Sequence, residues 1–453
     1  MFKGSSEQRP PAGHAHRTPL ANFGSHAQEA APGRAERGRP RWLPRRRAAA
    51  TLCDGMSPDA LVTGQFNDSF PPIIDGVAIV TLNYARWLNR KYGRGHVVTV
   101  AAPGAADGSD GDDPPVLRYH SVPLPLNKPY RYGLPSLDRA FRQRLAGIRF
   151  DIVHAHNPFV AGRLALRTAR SLGIPIVATL HSKYREDFLR VVRIDRAALA
   201  LARRFTRFYG EVDAVWTVSE ATVDVLREYG YRGQVEIIPN GSDLEPPADR
   251  DLLRRSAEAA WRLGTGDFVL LHVGRLVWEK NLQLLIDALR ELARRSRSFR
   301  MLFVGDGPAA AHMKAFVKRE SLSDMVRFAG GVQDRQRLQE LYARADLLLF
   351  PSLYDMSSLV QKEAAAFSLP AVFVQGATTA SQVRDGENGF LVANDAGAFS
   401  ARVLALMDAP ATIRRAGEGA FRTLHRSWEQ VVDEVVLRYR AIIERYARAS
   451  SAA

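Results

Sequence analysis

From residue 60 onward, short apolar runs rich in Val, Ile and Phe alternate with segments of helical periodicity, and this alternation constrains the fold more than any other feature. Strands buried on both faces read as continuous apolar runs, and helices between them demand a parallel, doubly wound sheet. One set comprises "ALVTGQF" (60–66), "GHVVTVAAPG" (95–104), "FDIVHAH" (150–156), "IPIVATLH" (174–181), "AVWTVSE" (214–220) and "VEIIPNG" (235–241). A second comprises "FVLLHVGRL" (268–276), "MLFVGDGP" (301–308), "VRFAGGV" (326–332), "DLLLFPS" (346–352) and "PAVFVQG" (370–376). The charged, proline-bearing stretch "SDLEPPADRDLLRRSAEAA" (242–260) separates them. The spacing therefore predicts an α/β chain with two Rossmann-like domains, 56–243 and 244–426. A terminal amphipathic helix in 427–453 carries "SWEQVVDEVVLRYRAIIERYARA".

A length of 453 residues suits two such domains, and 46% hydrophobic with 25% charged residues is a globular composition. The net charge of +15 makes anionic partners reasonable: nucleotides, acidic lipid surfaces or nucleic acid. Residues 1–55 hold ten bases against four acids, lack apolar periodicity, and read as a disordered basic tail. Met56 offers a later start, which would leave that tail untranslated. Cys53 is the only cysteine, so an internal disulfide or a cysteine-built metal site is excluded, and a cytoplasmic location fits. No apolar run reaches the roughly 18–20 residues of a spanning helix, so membrane contact is expected to be peripheral.

Ligands of open α/β sheets bind beyond the carboxyl ends of the strands, so the loops that follow strands hold the candidates. "GRLVWEKN" (274–281) puts Arg275 and Lys280 on one loop leading into a helix, a pattern suited to a diphosphate. Two solvated surface charges would satisfy the same spacing. "VGDGP" (304–308) reads equally as a phosphate turn or as a tight turn that needs glycine. In "PSLYDMSSLVQKEAAAFSLP" (351–370), Asp355 and Glu363 stand eight positions apart, with a serine able to cap the helix between them. At about 1.5 Å per residue that is roughly 12 Å. Such a separation exceeds that of a hydrolase carboxylate pair and suits the two ends of a nucleotide sugar. "IIDGV" (73–77) places Gly76 at a turn before a helix, and His181 ends a strand alone.

In this order, "PPIIDGV" (71–77), "DIVHAHNPF" (151–159), "ATLH" (178–181), "TVSE" (217–220), "IIPNGSD" (237–243), "HVGRLVWEKN" (272–281), "VGDGP" (304–308), "FPSLYDMSSLVQKEAAAFSLPAVF" (350–373) and "VRDGENGFLV" (383–392) resemble glycosyltransferase family 4. The resemblance spans about residues 60–445. It implies a GT-B fold and a retaining, metal-independent transfer from a nucleoside diphosphate sugar, with no cofactor. On this reading Arg275 and Lys280, with Gly274, hold the diphosphate, Glu363 accepts from the ribose, and Asp355 contacts the sugar. The amides of Ser358 and Leu359 face sugar and phosphate, His181 sits near the reacting sugar, and the backbone at Gly76 closes over the phosphates. The family's first acid is usually Glu and is followed by a glycine-containing segment, whereas here it is the shorter Asp355 followed by "MSSLV" (356–360). Loss of the glycine is expected to narrow the room for the sugar and to shift donor choice.

Two other readings stay open from the residues: a sugar-nucleotide epimerase of similar fold, and a nucleotide-sugar-binding protein without turnover. The Asp-x-Asp spelling inside "DGSDGDDPP" (107–115) reads as a solvated acidic loop, not as a metal motif. Nucleic-acid binding finds no recognised module. "FLRVVRIDRAALALARRFTRFYG" (188–210) reads as one helix carrying Arg190, Arg193, Arg196, Arg203, Arg204 and Arg207. It would suit an anionic membrane surface bearing a glycolipid or diacylglycerol acceptor.

Overall fold

A computed structural model describes residues 60–105, 114–124, 129–295, 298–332 and 334–452. The basic tail and the Asp-x-Asp spelling lie outside the described residues.

The first half contributes strands β1 (Leu61–Phe66), β2 (Gly93–Val100), β3 (Val116–Tyr119), β4 (Ser121–Pro123), β5 (Arg131–Gly133), β6 (Ile152–Ala155), β7 (Ile176–Leu180), β8 (Ala214–Thr217) and β9 (Glu236–Ile237). All but the hairpin β4–β5 join one parallel sheet of order β3-β2-β1-β6-β7-β8-β9. The second half supplies β10 (Phe268–Val273), β11 (Phe299–Val304), β12 (Val326–Gly330), β13 (Leu347–Phe350), β14 (Ala371–Val374) and β15 (Phe390–Val392), of order β12-β11-β10-β13-β14-β15. Both sheets reverse their winding beside their first strand, between β1 and β6 and between β10 and β13. Such switch points leave a crevice at the strand ends.

The apolar runs form central strands because helices cover both faces. Leu282, Leu285, Ile286, Leu289 and Leu292 fall at helical spacing on Leu282–Arg295 and pack against Phe299, Met301 and Phe303. Helix Trp428–Ala452 crosses back to the first half, where Trp428, Val431, Val435 and Tyr439 join Leu61, Tyr84, Ile152 and Trp216 in one core.

Besides the hairpin strands β4 and β5, the structure adds two strands to those expected, β3 and β15, of four and three residues. Both are too short to show periodicity, and β3 follows two prolines and carries Arg118. The single helix expected over 188–210 is instead two, Tyr184–Val192 and Asp195–Thr206, followed by a 3-10 turn. Arg193 takes a left-handed φ of 56° between them, which ends the first helix as a C-cap and folds the second back against it.

Candidate active site

The crevice between β10 and β13 gathers most of the residues singled out above. Gly274 leaves β10 at φ 150°, in the region that favours glycine, and turns the chain into the loop carrying Arg275 and Lys280. Beneath it, a Cβ at Gly305 would lie 1.9 Å from the Gly274 carbonyl oxygen, and one at Gly307 would lie 2.3 Å from that of Leu276. The glycines of "VGDGP" are thus accounted for by one loop packing flat on another.

Lys280 Nζ donates to both carboxylate oxygens of Asp355, at 2.8 and 2.7 Å. Burial pushes the Asp355 carboxyl up, but the Lys280 ammonium outweighs it and holds the group below the usual carboxylate range. Arg275 is exposed and makes no hydrogen bond or ion pair among the described residues. The two cations therefore differ: one is neutralised in place and the other is open.

After β13, Ser358 caps helix Leu359–Ala366, its Oγ accepting from the Gln361 amide at 3.2 Å. The amides at Ser358 and Leu359 head this helix, where backbone donors lack internal partners. Glu363 is buried; it accepts from Tyr342 Oη at 2.7 Å and from Arg335 at 3.3 Å, and Arg335 also pairs with Asp243. Burial raises its carboxyl above the ordinary range, with Arg335 and Tyr342 opposing.

The first half faces this crevice with helix Gly76–Lys91, whose cap Asp75 accepts from the Ala78 amide at 2.8 Å. Tyr130 and Asp187 each feel the charges of both Asp75 and Arg275, which places the two loops on one cleft. A Cβ at Gly76 would meet nothing within 4 Å, so no protein atom demands a glycine there. His181 follows β7, and its Nε2 lies 3.1 Å from His156 Nδ1. Burial lowers its ring to about 3, so it is neutral at physiological pH.

Contacts between the halves run through the loop that carries Asp355. Lys183 Nζ donates to the Leu353 carbonyl at 2.9 Å, Tyr354 Oη to Asp187 at 2.5 Å, and Asn240 to Ser357 at 3.3 Å. Arg190 stacks 4.5 Å from the Tyr354 ring centroid and pairs with Glu279 at 3.4 Å. Met356 is 5% exposed and belongs to the apolar core of the first half. Within the segment that follows Asp355, the Met356 side chain is thus spent on the opposite domain. Tyr354 and Met356 were missed because their partners lie more than 100 positions away in sequence. Among the described residues no group of three His, Cys, Asp or Glu side chains is placed to hold a metal ion.

Comparison with known proteins agrees with this geometry. The profile described as Glycosyltransferase Family 4 matches residues 74–246, and that described as Glycosyl transferases group 1 matches residues 254–423. The chain is 26% identical over 335 residues to alpha-monoglucosyldiacylglycerol synthase of Acholeplasma laidlawii, covering 72% of this chain and 83% of the relative. Sucrose-phosphate synthase from Thermosynechococcus elongatus superimposes with a TM-score of 0.69 at 20% identity, over 85% of this chain and all of that one. Anabaena HepE in complex with UDP and glucose does so with a TM-score of 0.66 at 16% identity, over 84% of this chain and all of that one. The two sheets and their connections are those of the GT-B fold, and the chain belongs to the family 4 type of glycosyltransferases.

Proposed function

We propose that the protein moves a hexose from a UDP- or GDP-linked sugar to an acceptor hydroxyl, with retention of configuration and without a metal ion or other cofactor. The acceptor is a glycolipid or diacylglycerol, met at the inner face of an anionic membrane to which the protein binds peripherally. The observation that carries the donor reading is Arg275, an exposed cation, unpaired among the described residues, at a switch point beside Lys280 and a helix N-terminus. Amides and cations converging on one crevice suit a diphosphate. In the reaction the acceptor oxygen bonds to C1 as the bond from C1 to the phosphate oxygen breaks. The acceptor proton passes to that departing oxygen, on the face it leaves. Arg275 and Lys280 offset the charge that builds on the diphosphate, and Glu363 accepts from the ribose.

Two features support the acceptor reading. The relative from Acholeplasma laidlawii is named for a diacylglycerol product. Arg196, Arg203, Arg204 and Arg207 line a surface recess of about 420 Å³, and Val191 and Ile194 nearby are 55% and 63% exposed. Cations beside exposed apolar groups suit an anionic lipid surface.

The test is release of free nucleoside diphosphate from a panel of UDP- and GDP-sugars in EDTA, with and without diacylglycerol-bearing anionic vesicles. Acceptor-dependent release that survives EDTA is expected. Release that requires added metal, or none with any lipid acceptor, would overturn the corresponding part of the proposal.

A further inference from the structure

Behind His181 lies a chain of buried polar groups for which the transfer chemistry above has no use. His156 Nε2 lies 2.9 Å from Gln65 Oε1, and His156 Nδ1 lies 3.1 Å from His181 Nε2. The Gln65 amide nitrogen faces Thr63 Oγ1 at 3.3 Å and Tyr439 Oη at 3.4 Å. Tyr439 Oη lies 2.7 Å from His154 Nδ1, whose Nε2 lies 2.7 Å from Thr179 Oγ1. Gln65, His154 and His156 are at most 1% exposed. The His156 ring stacks between its neighbours, with centroids 4.3 Å from His154 and 5.3 Å from His181.

The direction of the chain follows from one group that can only accept. Gln65 turns its Oε1 toward His156 and its amide nitrogen toward Thr63 and Tyr439, and because an Oε1 so turned has no proton, His156 carries its own on Nε2. His156 Nδ1 is then a lone pair, and His181 must donate to it from Nε2. In a neutral imidazole the other nitrogen is unprotonated, so His181 Nδ1 is left as an acceptor. That nitrogen makes no hydrogen bond among the described residues, and His181 is the partly exposed end of the series. Burial lowers His156 as it lowers His181, so neither ring takes a second proton that would erase the polarity.

We propose that Gln65 and His156 are positioning residues that hold His181 as the Nε2-protonated tautomer, so that it meets the substrate only as an acceptor, through Nδ1, for a carbohydrate or acceptor hydroxyl. The reading rests on the placement of His181 at the reacting sugar. It assigns His181 no role as a general acid, and it gives the crossover helix a polar part in the site, because Tyr439 takes the other end of the Gln65 amide.

The first test is independent of turnover. The full chain, labelled with nitrogen-15 histidine, is examined by long-range proton–nitrogen NMR, with His181 identified from the signals lost in a His181→Gln variant. His181 and His156 are expected as Nε2–H tautomers in the free protein. A His181 ring protonated at Nδ1 would overturn the proposal whether or not the protein is a transferase. The second test compares His156→Gln with His156→Leu. The glutamine keeps an acceptor toward His181 and a donor toward Gln65; the leucine keeps neither. The tautomer and kcat/KM are expected to stay near wild type in His156→Gln. In His156→Leu and Gln65→Leu the tautomers should mix, and kcat/KM should fall roughly 10- to 100-fold, the scale on which supporting shells tune a site, at unchanged thermal midpoint in at least one variant. Equal losses in His156→Gln and His156→Leu would mark the residue as packing only. Deoxy donors and deoxygenated acceptors then locate the hydroxyl: the substrate lacking it should show no further loss in Gln65→Leu.

Discussion

Lys280 and Asp355, 75 positions apart in sequence, share two hydrogen bonds of 2.7 and 2.8 Å across the mouth of the crevice. Their side chains are only 12% and 20% exposed, so the pair is largely desolvated. A charge left behind in such a place is worse than no pair at all.

Lys280→Met should therefore cost about 3–5 kcal/mol of stability, as breaking a buried pair does, besides its effect on turnover. Lys280→Met combined with Asp355→Leu should recover most of that stability and none of the activity. Urea unfolding of the two variants, paired with donor turnover, separates the contributions. Equal stability in the single and double variants would show that the pair is not desolvated in solution.

Arg275 behaves oppositely because no described residue pairs with it. Arg275→Ala should leave the unfolding midpoint within the range of ordinary surface changes. It should lower kcat/KM by roughly 10²–10³, as loss of one donor to a developing anion does. Steady-state kinetics with a thermal melt decides it, and a large drop in midpoint would mean that Arg275 is structural.

Met356 and Tyr354 tie the donor loop to the opposite domain. Met356→Ala should destabilise the fold by about 2–5 kcal/mol, the cost of emptying a packed apolar site. Tyr354→Phe, which loses only the bond to Asp187, should cost about 1–3 kcal/mol. Denaturant titration reads both, and a Met356→Ala variant as stable as wild type would show that the side chain is not packed in the first half.

Stability should fall in acid, starting early. Burial keeps His154 and His156 well below 6.5, His181 at about 3 and both His96 and His272 at about 4. Unfolded, each protonates near 6.5, so the unfolded chain binds more protons below that pH, and stability present above it is lost as pH falls. Each extra proton is worth up to about 1.4 kcal/mol per pH unit. Asp68 opposes this, since burial raises it to about 6 and its folded form keeps a proton that the unfolded form loses near 3.8. Burial raises Asp151, Glu186, Asp187, Asp213 and Glu363 in the same sense, but these carboxyls start from ordinary values of about 4, so just below 6.5 the histidines set the slope and it is downward. Unfolding midpoints from pH 8 to pH 4.5 should be level above about 7 and decline below 6.5; a flat profile would contradict the buried neutral rings.

The two sheets were legible because each central strand is an unbroken apolar run, and the Arg275–Lys280 loop was legible because it follows one. What stayed hidden depends on distant partners. Nothing near Asp355 indicates that Lys280 neutralises it, and nothing near Met356 marks it as part of another domain's core. The break at Arg193 interrupts a run whose composition favours helix throughout. Gln65 did leave a signal: a lone amide in "LVTGQF", an otherwise apolar strand interior, has to be satisfied by another buried polar group. Its partner in "HAHNPF" lies 91 positions on, so the pairing needed the sheet to bring them together.

The last helix places Trp428, Val431, Val432, Val435, Val436 and Tyr439 in a core whose other members begin at Leu61. During synthesis, the face of the first sheet that this helix covers is made long before its cover leaves the ribosome. The nascent first half must therefore wait with Tyr84, Ile152 and Trp216 unshielded on that side while the entire second half is translated. The domain completed last is thus the one begun first, and a stop ahead of Tyr439 in this helix would injure the amino-terminal half most.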